Sequence, residues 1–199
     1  MILSQPDLKL AWKKKLIRFS PDITEDQIGL SSIDLRLGYI VTHLKKSNSV
    51  IKPAAKGFDP TLLVQNVDLR GKNPRGKPIP FRLSPGRLML AFTLERIEVP
   101  DSLAANVQGK SSLARAGAAV HITAPHIHPG FRGNITLEMY NHGPWRLEFV
   151  PAQDLVCQVI FYQITRKVAK EMIEKHGTFV DQRTPFPPRK VPVAHRKKF

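Results

Sequence analysis

Hydrophobic and polar positions recur along this chain with two different periods. Leu8, Ala11, Trp12 and Leu16 fall at helical spacing within residues 5–17, with Ser4 as a candidate cap and Pro6 in the first turn. That pattern predicts a short amphipathic helix packed on the core. From residue 33 to 44 the period shortens to alternation rich in β-branched residues, which reads as strand. Residues 53–80 are punctuated by Gly57, Pro60, Gly71, Pro74, Gly76 and Pro78 and read as loop. Short strands are predicted at 81–83, 88–94 and 96–99, then at 119–123, 133–140, 145–149 and 155–164, with a short helical turn at 111–116 capped by Ser111 or Ser112. The run at 155–164 is apolar almost throughout and is expected to be central. Residues 167–176 have the make-up of a helix closed by Gly177, and 184–199 are basic, proline-broken and not expected to fold alone. Short strands at this spacing predict a mainly β fold, a distorted barrel or jelly roll with a short N-terminal helix. No internal repeat is visible.

Composition narrows the class. At 199 residues, 42% hydrophobic and 24% charged, the chain has the size and balance of one globular domain. No apolar run approaches the roughly 20 residues that span a bilayer, so no membrane partner is expected. The N-terminus lacks a charged region followed by an apolar block, and a signal peptide is not expected. One cysteine, Cys157, rules out an internal disulfide and suggests a reducing, cytoplasmic setting. Within its apolar run it reads as a small core side chain, and Lys13 to Lys15 read as a solvated face. The net charge of +15 favours anionic partners, whether nucleotide, nucleic acid or acidic membrane surface, without choosing among them.

The candidate chemistry is concentrated between residues 109 and 141. Gly109-Lys-Ser-Ser-Leu-Ala-Arg115 places cations and hydroxyls beside a glycine, a combination suited to an anion such as phosphate. Glu138 is the one carboxylate in the strand-like run 135–140. A carboxylate among apolar neighbours resists ionising, which suits it to passing a proton both ways near neutral pH. His121, His126 and His128 crowd together, but their spacing matches no familiar catalytic zinc motif, and zinc is not expected.

Four segments carry a resemblance: Gly109-Lys-Ser-Ser-Leu-Ala-Arg115, His121-Ile-Thr-Ala124, Pro129-Gly-Phe131 and Thr136-Leu-Glu-Met-Tyr-Asn141. In that order and spacing they resemble the signature segments of the dCTP deaminases, relatives of the trimeric dUTPases. Ser32-Ile-Asp-Leu-Arg-Leu-Gly38 resembles the family's N-terminal strand. The similarity covers roughly residues 1–165, which implies a dUTPase-like β domain there and a C-terminal lid and basic tail over 166–199.

The resemblance implies hydrolytic deamination of dCTP to dUTP and ammonia without zinc, unlike deaminases that bind it through His and Cys ligands. Glu138 would be the general base and acid, Ser111 and the Ala124 carbonyl would position the water, and Arg115 would fix Glu138 and stabilise developing negative charge. Lys110, Ser111 and Ser112, with Leu113, Ala114 and Arg115 completing the segment, would bind the phosphates. Thr136 and Leu137 would meet base and sugar through backbone or side chain. Mg²⁺ would arrive on the triphosphate. The resemblance further implies a homotrimer with active sites at subunit boundaries, and dTTP as a candidate inhibitor.

Three departures bear on the transfer. His128 stands where the family has aspartate. In dUTPases that aspartate activates the water attacking the α-phosphate, so its replacement argues against diphosphatase activity, while a histidine still hydrogen-bonds a 3′-hydroxyl. In the lid, the positions of the family's tyrosine, lysine and glutamine are Glu171, Thr178 and Gln182, of which Gln182 alone keeps the family residue. Lys175 or Arg183 would have to supply the missing charge. The basic extension beyond Pro187 is the third. Two alternatives stay open: a bifunctional deaminase and diphosphatase, which would release pyrophosphate, and a catalytically impaired relative that binds nucleotide, or nucleic acid through its basic tail.

Overall fold

The first helix stops where the backbone turns back on it. Helix α1 (Gln5–Lys13) is opened by Ser4, whose backbone N–H and hydroxyl donate to Asp7 Oδ2 at 3.2 and 2.5 Å. Leu16 and Ile17 donate to the Ala11 carbonyl, and Lys15 adopts a positive φ of 54°, so the helix ends at Lys13 rather than at the predicted residue 17. Leu8 and Ala11 seal its inner face, while Leu16 is left exposed. The computed structural model describes residues 1–46, 48, 50–52, 59 and 63–176. Among these, no helix is long and apolar enough to cross a membrane.

The strands are β1 (Arg18–Ser20), β2 (Ile33–Leu44), β3 (Val64–Asp68), β4 (Phe81–Leu83), β5 (Leu88–Glu98), β6 (Leu103–Gly109), β7 (Ala118–Ala119), β8 (His126–Ile127), β9 (Arg132–Asn141), β10 (Leu147–Phe149) and β11 (Leu155–Gln163). The short helix α2 (Ser111–Arg115) follows β6, and α3 (Lys170–His176) ends the described chain. One antiparallel sheet runs β7-β9-β5-β2-β11-β6-β8, with β1 added to β5 and β3 to β2, while β4 and β10 form a separate pair. It is a mainly β, curled half-barrel.

Alternation builds the core. Ile33, Leu35 and Leu37 of β2 and Ile135, Leu137 and Met139 of β9 are buried, joined by Leu8, Ile97, Val159 and Phe161. The period of two in the sequence is the pleat of these strands.

Several boundaries differ from expectation, for identifiable reasons. The separate strands at 88–94 and 96–99 are one strand, β5, because the charge between them is buried and paired. Glu95 is fully buried and accepts Arg36 Nε at 2.6 Å, the Arg36 backbone N–H at 2.9 Å and Gln27 Nε2 at 3.2 Å. Strand β6 escaped the sequence reading because Ala-Ala-Asn is a weak strand signal, yet it pairs with β11 from Leu103↔Gln163 to Gly109↔Cys157. The predicted strand 119–123 shrinks to Ala118–Ala119, and 145–149 to Leu147–Phe149. Strand β3 lies within the stretch read as loop, whose residues 53–58 and 60–62 are outside the described set. Helix α3 begins at Lys170, later than predicted, and its expected closing Gly177 lies outside the described residues, as does the tail 184–199.

Candidate active site

Two anchors fix the start of the anion-binding segment. The Gly109 carbonyl at the end of β6 accepts Gln158 Nε2 at 3.1 Å, and Gln158 Oε1 accepts the Ser32 hydroxyl at 2.9 Å. The next residue, Lys110, forms an ion pair with Asp34 on β2. In the expected scheme Lys110 serves the phosphates, whereas in this structure its ammonium is engaged by a carboxylate. Lys110 also occupies the cap position of α2, where a serine was expected, and its side chain makes no cap bond. Ser111, Ser112, Ala114 and Arg115 are exposed on α2, while Leu113 packs partly against the core.

After α2 the chain turns tightly against the end of β9. Gly117 has φ of +94°, and a Cβ there would lie 2.3 Å from the Gly143 nitrogen. The His142 N–H donates to the Gly117 carbonyl at 2.8 Å, and β7 then pairs Ala118 with Asn141 and Ala119 with Tyr140. Only glycine fits such a turn without strain. Asn141 organises the facing turn from a fully buried position. Its Nδ2 donates to the carbonyls of Leu83 at 3.0 Å and Trp145 at 2.7 Å, and its Oδ1 accepts the Gly143 N–H at 2.9 Å.

Glu138 sits on the outer face of β9. Its sequence neighbours Leu137 and Met139 are fully buried on the opposite face, so they do not surround the carboxylate as the linear run suggested. Glu138 itself is half-buried, on the face it shares with Thr136 and Tyr140. What holds it is the Ile122 backbone N–H, which donates to Oε2 at 3.0 Å. The stretch after β7, with His121 through Ala124, therefore runs alongside the acid. With its side chain in the core, Leu137 has only its backbone to offer a ligand. Ser111 and Arg115 form no hydrogen bond or ion pair with Glu138 within one chain, among the described residues.

The histidines divide into two groups. His121 Nε2 lies 3.2 Å from Gln108 Oε1, and its buried Nδ1 has no hydrogen-bond partner among the described residues. His126 and His128 share one side of their segment, as alternation requires, with ring centroids 4.7 Å apart edge to face. His126 Nδ1 is 3.1 Å from Asn106 Oδ1. Burial, and then the neighbouring His128, hold the His126 imidazole below its ordinary range. Cys157 is fully buried, and burial, with Glu95 and Asp34 adding to it, pushes its thiol far above the usual range, so it is a core side chain.

His128 leads into the turn at residues 129–130, where a Cβ on Gly130 would lie 2.6 Å from Ile173 Cγ2. Helix α3 thus packs directly against Gly130, two residues beyond His128. Glu171 and Lys175 are exposed on that helix. Thr178, Gln182 and Arg183 lie outside the described residues. A cleft of about 160 Å³ lies elsewhere, at the irregular crossing of β2 and β5, lined by Gly38, Tyr39, Phe92, Thr93, Leu94 and Asn134 among others. It contains none of the candidate residues.

Sequence reasoning missed the anchoring roles of Asp34 and Gln158. Asp34 lay inside the quoted segment Ser32 to Gly38, a charge at an outward position of a strand, and that was the available signal.

Residues 2–164 match a family described as dCTP deaminase-like. The chain belongs to the dCTP deaminase-like family. A relative named "dCTP deaminase, dUMP-forming", from Methanosphaera stadtmanae, is 38% identical over 167 residues, 82% of this chain and 80% of the relative. Another, named "dCTP deaminase", from Rhodospirillum rubrum, is 34% identical over 195 residues, 95% and 96% of the two chains. The crystal structure of 2′-deoxycytidine 5′-triphosphate deaminase from Agrobacterium tumefaciens shares the fold, with a TM-score of 0.60 at 19% identity. That match covers 89% of this chain and 52% of the solved one, so this dCTP deaminase-like chain spans about half of that protein's length.

Proposed function

We propose that this protein is an enzyme that deaminates dCTP by hydrolysis, with Glu138 carrying the protons. A water oxygen adds to C4 of cytosine, its proton passing through Glu138 to N3. Glu138 then carries the adduct's hydroxyl proton to the amino group as the C4 carbonyl forms and the C4–N bond breaks, so that dCTP and water give dUTP and ammonia. The observation that carries this reading is the Ile122 N–H donating to Glu138 Oε2 at 3.0 Å. One carboxylate oxygen is oriented by backbone from the segment that ends in the Ala124 carbonyl, while Oε1 makes no bond within the chain among the described residues and is left for the water.

Ser111 and Arg115 stand exposed on α2, and we assign them to the water and to Glu138 of an adjacent subunit. This requires an assembly with sites at subunit boundaries, and the family resemblance makes that assembly a homotrimer. The triphosphate, with its Mg²⁺ as part of the substrate, lies along residues 110–115, and dTTP, alike in sugar and phosphates, competes there. No zinc is assigned, because the lone thiol is buried in the core and the three histidines are split between two locations. Cytoplasm is the compartment assigned.

The product is the open branch of the reading. His128 at the family's aspartate position supports dUTP as the final nucleotide, since the residue that activates the phosphate-attacking water is replaced. Relatives named dUMP-forming at 37–38% identity favour the second reading, release of dUMP and pyrophosphate. Incubating the purified protein with dCTP and Mg²⁺ and resolving the nucleotides decides between them. Ammonia and dUTP without pyrophosphate, retained under a zinc-selective chelator and lost in Glu138→Gln, is the expected outcome. dUMP supports the bifunctional reading, and full activity in Glu138→Gln removes Glu138 as the base.

A further inference from the structure

We infer that Asp34 and Gln158 are positioning residues for the triphosphate segment, holding Gly109 and Lys110 in place from two other strands. The inference rests on the proposed binding of the triphosphate by residues 110–115.

Register brings these residues together. Gln158 of β11 lies opposite Asp34 of β2 on one side and opposite Gln108 of β6 on the other. Asp34, Gln158 and Gln108 therefore form a polar row across three strands, ending where β6 gives way to α2. Gln158 uses both ends of its amide: Nε2 donates to the Gly109 carbonyl at 3.1 Å, and Oε1 accepts the Ser32 hydroxyl at 2.9 Å. Reversing the amide would face oxygen to carbonyl oxygen, so the two bonds set one orientation.

The Asp34–Lys110 pair is partly sheltered, with 21% and 26% of the side chains exposed. Shelter of this degree leaves the pair less screened by water and salt than an open surface pair. Asp34 is itself on firm ground, because its backbone carbonyl accepts Gln27 Nε2 at 2.8 Å, and the same Nε2 reaches the buried Glu95 at 3.2 Å. Two consecutive residues are thus held by two anchors that reach 49 and 76 positions along the chain. Beyond them α2 is held by Leu113 against the core and by the Gly117 turn, so Gly109 and Lys110 fix the end at which it starts.

This arrangement gives Lys110 a different task from Arg115. Its charge is already balanced by Asp34, and it tethers the segment, while the exposed Arg115 is the cation assigned to Glu138 of an adjacent subunit.

The test compares wild type with Asp34→Asn, Asp34→Glu, Gln158→Leu, Lys110→Met and the Asp34→Asn/Lys110→Met double variant. Dissociation constants for dCTP and dCMP, kcat for dCTP, and hydrogen exchange of residues 109–116 without nucleotide are measured in each. Asp34→Asn and Gln158→Leu are expected to weaken dCTP about tenfold, the loss of one charge-assisted or well-placed hydrogen bond, with kcat within about threefold. The effect fades for dCMP, exchange over 109–116 speeds up, Asp34→Glu recovers part of the loss, and the double variant is no worse than the weaker single one. Tighter dCTP binding in Asp34→Asn would make Asp34 a competitor of phosphate and overturn the inference. So would equal losses for dCTP and dCMP, or unchanged exchange. If wild type neither binds nor turns over dCTP, the proposed function falls, and the exchange data alone still decide whether Asp34 and Gln158 position the segment.

Discussion

The backbone N–H of Ile122 donates to Glu138 Oε2 across 3.0 Å, joining residues sixteen apart without any cation. Orientation of the acid thus depends on the length of its side chain. Glu138→Asp withdraws the carboxylate by one methylene and breaks that reach. Its kcat is expected to fall about 100-fold, with dCTP affinity within about threefold and an unchanged melting temperature. Steady-state kinetics beside a thermal melt check this.

Arg36 and Glu95 form the charge pair on which the middle of the sheet depends. Glu95 is fully buried, and Arg36 supplies both its side-chain Nε and its backbone N–H. Arg36→Ala leaves a buried carboxylate with a backbone donor and Gln27 alone. The expected loss is about 3–5 kcal/mol of unfolding free energy, read from urea denaturation.

Gly117 meets Gly143 at a distance no side chain tolerates. Gly117→Ala sets a Cβ 2.3 Å from the Gly143 nitrogen in a positive-φ conformation. The expected destabilisation is at least about 2 kcal/mol. Displacement of α2 should accompany it, seen as a raised KM for dCTP, whereas an alanine at exposed Gly76, with open space around it, should cost less.

His126 ties stability to pH. Its folded value lies below the ordinary 6.5 because of burial and the adjacent His128. The unfolded chain therefore takes up this proton more readily, so the stabilisation is complete above pH 6.5 and is lost as pH falls through the folded value. His126→Asn should flatten the decline in melting temperature just below pH 6.5, and an unchanged slope counts against the assignment.

Cys157 is shielded from chemistry. With its thiol buried and pushed upward, a thiol reagent at about pH 8 should label it only on unfolding, at the same rate as global unfolding monitored by fluorescence. Rapid labelling of the folded protein would contradict its place in the core.

Legibility in the sequence followed distance along the chain. The predicted strands 33–44, 81–83, 133–140 and 155–164 correspond closely to Ile33–Leu44, Phe81–Leu83, Arg132–Asn141 and Leu155–Gln163, because alternation is a local signal. Where a strand's interior held a buried charge, as at Glu95, or small residues, as in Leu103–Gly109, the signal broke or vanished. The motif segments could be read because each is contiguous. Their partners could not, since Lys110 finds Asp34 and Gly109 finds Gln158 only through strand register.

By itself the sequence determined which residues alternate into the core, which segments carry the acid, the hydroxyls and the cations, and that the fold is mainly β. Tertiary structure alone decided that Leu137 and Met139 turn away from Glu138, that Ile122 holds it, and that Lys110 is spoken for by Asp34. The physical reason is that a side chain's face follows from its own backbone, whereas its neighbours follow from which strands pair and in what register.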